Sequence, residues 1–144
     1  MTHEDAGHYA AKRKGFELNK EIAAWLKERA SESKISCADA HAIAVKLKVT
    51  PAEVGAAIDL LEFRITKCQL GLFGYGLKKN IPELSGDIDP GIESAIRSLA
   101  VNKRITCESA WGIAKKYGVA KNIVTAVCES IKIKISGCQL GAFR

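Results

Sequence analysis

Cysteine is the residue type of this 144-residue chain that is most clearly suited to chemistry, because four of its five cysteines recur at one spacing. The separation between Cys37 and Cys68 is the same as that between Cys107 and Cys138. Four thiolates could together bind zinc or an iron–sulfur cluster. The chain has no CxxC pair, however, and cysteine commonly packs as a small apolar side chain. We therefore predict buried, reduced thiols that hold no metal and no other cofactor.

The sequence lacks the motifs that usually accompany catalysis. It contains no glycine-rich phosphate-binding loop, no nucleophile elbow and no HExxH motif. The spaced glycines of residues 71–76 follow an extended segment and do not open a helix, so they predict a flexible connection. We therefore predict that the protein is not an enzyme.

Lysine and arginine are the other candidates for a functional role, because they are numerous and unevenly distributed. The net charge is +6, which favours polyanionic partners such as nucleic acid. Residues 18–74 carry eight basic and seven acidic side chains, a net charge of +1. Residues 88–144 carry nine basic and four acidic side chains, a net charge of +5. Most of the excess positive charge thus lies in the second half.

The two halves of the sequence follow one pattern of residues, and the second half repeats the first at a constant offset of 70 residues. Residues 35–40 align with residues 105–110, and the register continues without a gap to a shared Cys-Gln-Leu-Gly-x-Phe string at 68–73 and 138–143. We predict two small domains related by internal duplication. Their bounds are an N-terminal tail at 1–17, copy one at 18–76, a linker at 77–87 and copy two at 88–144.

Each copy has the periodicity of three short helices followed by an extended tail. Apolar residues recur at i, i+3, i+4 and i+7, as in Ala40, Ile43, Ala44 and Leu47. The third helix of copy one begins at residues 50–53, where a capping hydroxyl, an N1 proline and a capping-box glutamate follow in order. The extended tails lose their alternation near Lys67 and Gly137, which suggests a β-bulge.

Only two residues, Lys48-Val49 or Gly118-Val119, separate the second helix of each copy from the third. Two short helices joined by so brief a turn, with a helix before and a β element after, resemble the winged-helix form of the helix-turn-helix. The resemblance implies a mainly α fold with short β elements. Members of this superfamily mostly bind DNA, some bind RNA, and a minority bind only proteins. Copy two ends one residue after Phe143, so any wing is expected to be short.

The third helix would enter a major groove in such a fold, and in copy two its expected outward face is polar. Asn122 can pair with adenine, and Thr125 can reach a base edge or a thymine methyl group. Basic side chains around this helix could hold the phosphate backbone, namely Lys103, Arg104, Lys115, Lys116, Lys121, Lys132 and Lys134. The alternative is a solvated helix that binds nothing.

The same face of copy one is small and acidic. Its expected outward residues are Ala52, Gly55, Ala56 and Asp59, and the helix carries no lysine or arginine. Such a surface would repel phosphate, whereas small residues permit close approach of another protein. We therefore predict that copy one contacts a protein partner or a second subunit.

These observations predict a cytoplasmic nucleic-acid-binding protein, most simply a DNA-binding transcriptional regulator, with DNA favoured over RNA. No apolar run is long enough for a membrane span, and the N-terminus lacks the pattern of a secretory signal. The alternative is a protein–protein adaptor or accessory subunit that keeps the winged-helix fold without binding nucleic acid.

Overall fold

The computed structural model describes residues 17–76, 78–84, 86 and 88–143. The predicted N-terminal tail lies outside this part of the chain, apart from Glu17. The protein is mainly helical, with half of the described residues in helices and with small pairs of strands. The mainly α class with short β elements is therefore confirmed. Among the described helices, none is both long and apolar enough to span a membrane.

One order of elements occurs twice along the described chain. The first series is α1 (Lys20–Arg29), β1 (Lys34–Ser36), α2 (Cys37–Leu47), α3 (Pro51–Leu60) and β2 (Arg64–Thr66). The second is α4 (Pro90–Leu99), β3 (Arg104–Thr106), α5 (Cys107–Tyr117), α6 (Lys121–Ser130) and β4 (Lys134–Ser136). Each element of the second series begins and ends 70 residues after its counterpart in the first series.

The strands form two short parallel pairs. β1 pairs with β2 and places Ile35 beside Ile65, and β3 pairs with β4 and places Ile105 beside Ile135. The sequence predicted the strand after each third helix but missed the one before each second helix. Within the described residues no antiparallel wing follows β2 or β4, so the strand pairing departs from the expected pattern.

The residues that interrupt the extended tails end the strands and do not form a bulge. Lys67 and Gly137 have left-handed backbone conformations, with φ of 50° and 63°. Each of them directly follows its strand. The predicted bulge is therefore wrong, and the loss of alternation marks the point where the chain leaves the sheet.

The described residues form two compact units. Unit 1 contains residues 17–68 together with residues 139–143, which we call the closing segment. Unit 2 contains the described residues of 69–138. The segment after β2 thus belongs to unit 2, and the segment after β4 belongs to unit 1.

The core of unit 1 is formed by one face of each helix and by the strand pair. Its most buried side chains are Ile22, Leu26, Ile35, Ile43, Val54, Ile58 and Leu140. Leu140 contributes from the closing segment, whose backbone lies against α3. A Cβ at Gly55 would overlap the carbonyl oxygen of Leu140, so this approach requires glycine.

The core of unit 2 has the same composition of small and branched side chains. Its most buried members are Leu70, Ile92, Ile96, Ile105 and Val124. Leu70 is fully buried and comes from the segment that follows β2. Each unit therefore includes the leucine of one Cys-Gln-Leu-Gly string.

The third helices of the two units, α3 and α6, start differently. At α3 the Thr50 hydroxyl accepts a hydrogen bond from the Glu53 N–H at 3.1 Å, and the Glu53 carboxylate accepts one from the Thr50 N–H at 2.7 Å. At α6 the N-cap residue is Ala120, which provides no side-chain cap. The predicted capping box is confirmed.

Candidate nucleic-acid interface

The helix hairpin of unit 2, α5 followed by α6, was predicted to contact nucleic acid. Thr106 caps α5 by accepting a hydrogen bond from the Ser109 N–H at 3.1 Å. Gly118 ends α5 in the left-handed conformation, with φ of 65°, so the chain can turn sharply into α6. This short turn positions the cations of both helices.

The outward face predicted for α6 is covered by other residues of unit 2. The Asn122 side-chain amide donates a hydrogen bond to the Asn80 carbonyl oxygen at 3.0 Å. Thr125 is only 1% exposed and Ala126 is 6% exposed. Residues 79–84 line a depression with Ala126 and Glu129, so this segment lies along the helix. The prediction that Thr125 faces outward is wrong, whereas Asn122 is half-buried and uses its amide on the Asn80 carbonyl oxygen.

The corresponding face of α3 in unit 1 is also covered. Ala56 is 8% exposed and Asp59 is 5% exposed, and Gly55 contacts the backbone of Leu140. Among the predicted protein-contacting residues only Ala52 is exposed. The small residues do admit the close approach of another backbone, but that backbone is the closing segment of the same chain.

Four exposed cations gather where the strand pair of unit 2 begins. Arg104 and Lys134 are register partners in β3 and β4, so their Cα atoms are neighbours. The Lys134 N–H donates a hydrogen bond to the Lys103 carbonyl oxygen at 2.9 Å, and Lys132 lies two residues before Lys134. All four side chains are exposed, and none takes part in an ion pair within the described residues. We call this group the basic strand cluster.

At the start of its strand pair, unit 1 has the same backbone arrangement as the basic strand cluster but little net charge. The Arg64 N–H donates to the Ser33 carbonyl oxygen at 2.8 Å, and Lys34 is the register partner of Arg64. The four positions are occupied by Ser33, Lys34, Glu62 and Arg64, which carry a net charge of +1 where the basic strand cluster carries +4. The charge difference predicted between the halves is therefore concentrated at one structural position.

A second group of cations surrounds Trp111 on the helix hairpin. The Lys121 Nζ lies 4.5 Å from the centroid of the Trp111 ring, within cation–π range. Lys115 joins both residues in lining a shallow depression of about 450 Å³. Lys116 is exposed and lies with its Nζ 5.6 Å from the centroid of the Tyr117 ring. Sequence reasoning missed Trp111, although an aromatic residue on a lysine-rich helix hairpin was a usable signal.

The two cationic groups lie at opposite ends of α5. β3 leads directly into α5, whereas Lys115 and Lys116 occupy its last turn. The 11 residues of α5 span roughly 16 Å at the usual rise per residue. This length slightly exceeds the roughly 12 Å width of a DNA major groove.

The repeated cysteines lie in the cores. Cys37, Cys68, Cys107 and Cys128 are buried thiols, and Cys138 is half-buried. The predicted burial is thus confirmed for Cys37, Cys68 and Cys107 and is partial for Cys138. In the part of the chain that the structure describes, no three His, Cys, Asp or Glu side chains are grouped as metal ligands. Burial raises the pKa of the Cys128 thiol from 9.0 to about 11, with a smaller contribution from the negative charge of Glu129.

Comparison with known proteins gives no relative: the chain matches no protein-family model, no curated protein and no solved structure.

Proposed function

We propose that this protein is a non-enzymatic nucleic-acid-binding protein, most simply a DNA-binding regulator, in which unit 2 provides most of the contacts. The observation that carries this proposal is the basic strand cluster. Four exposed cations at one place, outside any ion pair of the described residues, make a favourable site for phosphate. Lysine and arginine that neutralise phosphates release counterions, and this release drives much of the affinity for nucleic acid.

The mode of binding that we propose relies on the backbone of the nucleic acid more than on its bases. Thr125 is buried on α6 and has no access to base edges, and the Asn122 amide already donates a hydrogen bond to the Asn80 carbonyl oxygen. The cations at the two ends of α5 are exposed or partly exposed, and the helix between them is roughly 16 Å long. Contacts of this kind position a protein on DNA without specifying a sequence.

We further propose that the two halves arose by duplication of one helix-turn-helix unit of the winged-helix type that lacks a wing. The repeated element order, the identical strand register and the left-handed residue at the α2–α3 and α5–α6 turns support this relationship. The direct parallel pairing of β1 with β2 is the main departure from that type.

Fluorescence anisotropy with a labelled random-sequence DNA duplex at several salt concentrations tests the proposed function. Replacing Lys103, Arg104, Lys132 and Lys134 by glutamine should reduce the slope of log K against log salt by roughly three to four, because each phosphate contact contributes about 0.9. The loss should be similar for different duplex sequences.

The matched control removes the same charge from exposed positions of unit 1. Glutamine replaces Lys20, Lys27, Lys34 and Arg64 in this variant, and its slope should stay close to that of the unchanged protein. An equal loss in both variants would show that net charge alone drives binding. Affinity that does not depend on salt would refute the proposal for the basic strand cluster.

A second candidate function, that of a protein–protein adaptor, is favoured by exposed apolar side chains. Leu99 is 50% exposed and Val101 is 71% exposed, and both lie just before the basic strand cluster. Apolar side chains rimmed by cations suit an acidic protein partner. Absence of duplex binding in the same titration would leave this candidate in place.

A further inference from the structure

Unit 2 contains a cavity beside α6 that the proposed contacts with nucleic acid do not explain. Its volume is about 440 Å³, which lies within the range of small-molecule binding sites. Part of the wall is apolar, formed by Leu72, Cys128, Ile133 and Ile135. The remaining wall carries the polar side chains Lys79, Thr125, Glu129, Lys132 and Lys134.

Thr125 provides an unsatisfied hydrogen-bonding group at this cavity. The residue is 1% exposed, and its Oγ1 has no hydrogen-bond partner in the described part of the chain. Leaving a buried hydroxyl unpaired is unfavourable, so such groups are rare in folded proteins. Because Thr125 lines the cavity, an acceptor atom of a bound molecule would complete its hydrogen bonding.

The charges around the cavity favour an anion. The Lys79 Nζ lies 3.1 Å from the Glu129 carboxylate, so these two charges compensate each other. Lys132 and Lys134 take part in no ion pair of the described residues and leave a net charge of +2. The lining therefore combines an anion-binding part with an apolar part.

One wall residue of the cavity, Thr125, differs between the two copies. Thr125 stands at the position of copy two that aligns with Gly55 in copy one. In unit 1 the Leu140 carbonyl oxygen occupies the space that a side chain at Gly55 would need. A threonine at the equivalent place of unit 2 prevents such a close approach to α6. Thr125 and Leu72 both line the cavity.

We propose that this cavity binds a small amphipathic anion, a carboxylate or a phosphate monoester with a short apolar body. The anionic group lies at Lys132 and Lys134 and accepts a hydrogen bond from the Thr125 hydroxyl. The apolar body packs against Leu72, Ile133 and Ile135. Since both lysines belong to the basic strand cluster, the bound anion would compete with phosphate contacts, a consequence that rests on the proposed function.

Isothermal titration calorimetry of the full chain with sodium octanoate and with octyl phosphate tests the proposal without nucleic acid, so its result is independent of the proposed function. At least one of the two anions should bind saturably at one site. Amide resonances of Thr125 and Ile133 should shift in nuclear magnetic resonance spectra during the titration. Octyltrimethylammonium, with the same apolar body and the opposite charge, should not bind.

Variants locate the binding in the cavity. Thr125→Val keeps the volume of the side chain and removes the hydroxyl, so it should weaken binding about ten-fold, as expected for a hydrogen bond to a charged group. Lys134→Gln should weaken binding several-fold, and Lys27→Gln on the exposed side of α1 should leave it unchanged. Failure of both anions to bind would overturn the proposal, as would equal binding of the ammonium compound or an unaltered affinity in Thr125→Val.

Discussion

At the scale of single residues, Gly55 and Thr125 occupy aligned positions of the sequence and have different surroundings. Glycine lets the Leu140 backbone contact α3 directly. Threonine at the aligned position of unit 2 contributes a buried hydroxyl to the cavity. The two units therefore share one order of helices and strands but differ in the side chain at this position of the third helix.

Gly55→Ala should destabilise the protein, because the added methyl group would overlap the Leu140 carbonyl oxygen. Overpacking of this kind typically costs about 1–3 kcal/mol. Urea denaturation provides the measurement.

The matched control is Gly112→Ala in α5, where a Cβ would meet no atom within 4 Å. That change should stabilise the protein by about 0.5–1 kcal/mol, since alanine is the better helix former. Equal effects of the two changes would contradict the close approach.

Cys128 should make stability fall as the pH rises from 9 to 11. Its pKa is about 11 in the folded protein and 9.0 in the unfolded reference, so the folded state holds its proton more tightly. The stabilisation is fully present below pH 9 and is lost as the pH rises through 11. Urea denaturation at pH 8 and pH 10.5 should show a larger decrease for the unchanged protein than for Cys128→Val. Parallel decreases in both proteins would contradict the raised pKa.

At the scale of elements, the segments that follow β2 and β4 complete the cores. Leu70 is fully buried in unit 2, and Leu140 is 1% exposed in unit 1. The sequence indicated that both Cys-Gln-Leu-Gly strings have equivalent roles. The sequence could not indicate which helices these strings pack against. The pattern of residues within a string carries no information about contacts with residues that are distant along the chain.

Leu140→Ala should destabilise unit 1, and Leu70→Ala should destabilise unit 2, each by about 2–5 kcal/mol. Tryptophan fluorescence can separate the two effects, since Trp25 lies in unit 1 and Trp111 in unit 2. Trp111→Phe leaves the first reporter and Trp25→Phe leaves the second. The assignment of segments to units would be wrong if Leu140→Ala affected only the transition reported by Trp111.

Local signals allowed the helices of this fold to be predicted from the sequence. The capping box of Thr50 and Glu53 and the left-handed turn at Gly118 are encoded by neighbouring residues. β1 and β3 were missed because each leads directly into a helix, so no separate extended pattern precedes the helical one. The covered faces of α3 and α6 were also missed, since small residues are equally compatible with an outside partner and with the chain itself.

The candidate site was predictable in its charge and unpredictable in its geometry. Counting lysines and arginines correctly identified the half that carries the excess charge. The basic strand cluster depends on pairing of β3 with β4, which brings Arg104 next to Lys134 although two helices separate them along the chain. The cavity depends on the unpaired Thr125 hydroxyl, which no sequence pattern reveals.

At the scale of the whole molecule, the closing segment has a consequence for synthesis on the ribosome. Domains generally fold from the N-terminus as they emerge, at about 5–20 residues per second. Unit 1 lacks Leu140 until the ribosome has also translated all of unit 2. At those rates the delay is roughly 4–14 s. During that interval the surface of α3 at Gly55 lacks the Leu140 backbone that covers it in the folded protein. The half that is translated first therefore completes its folding last.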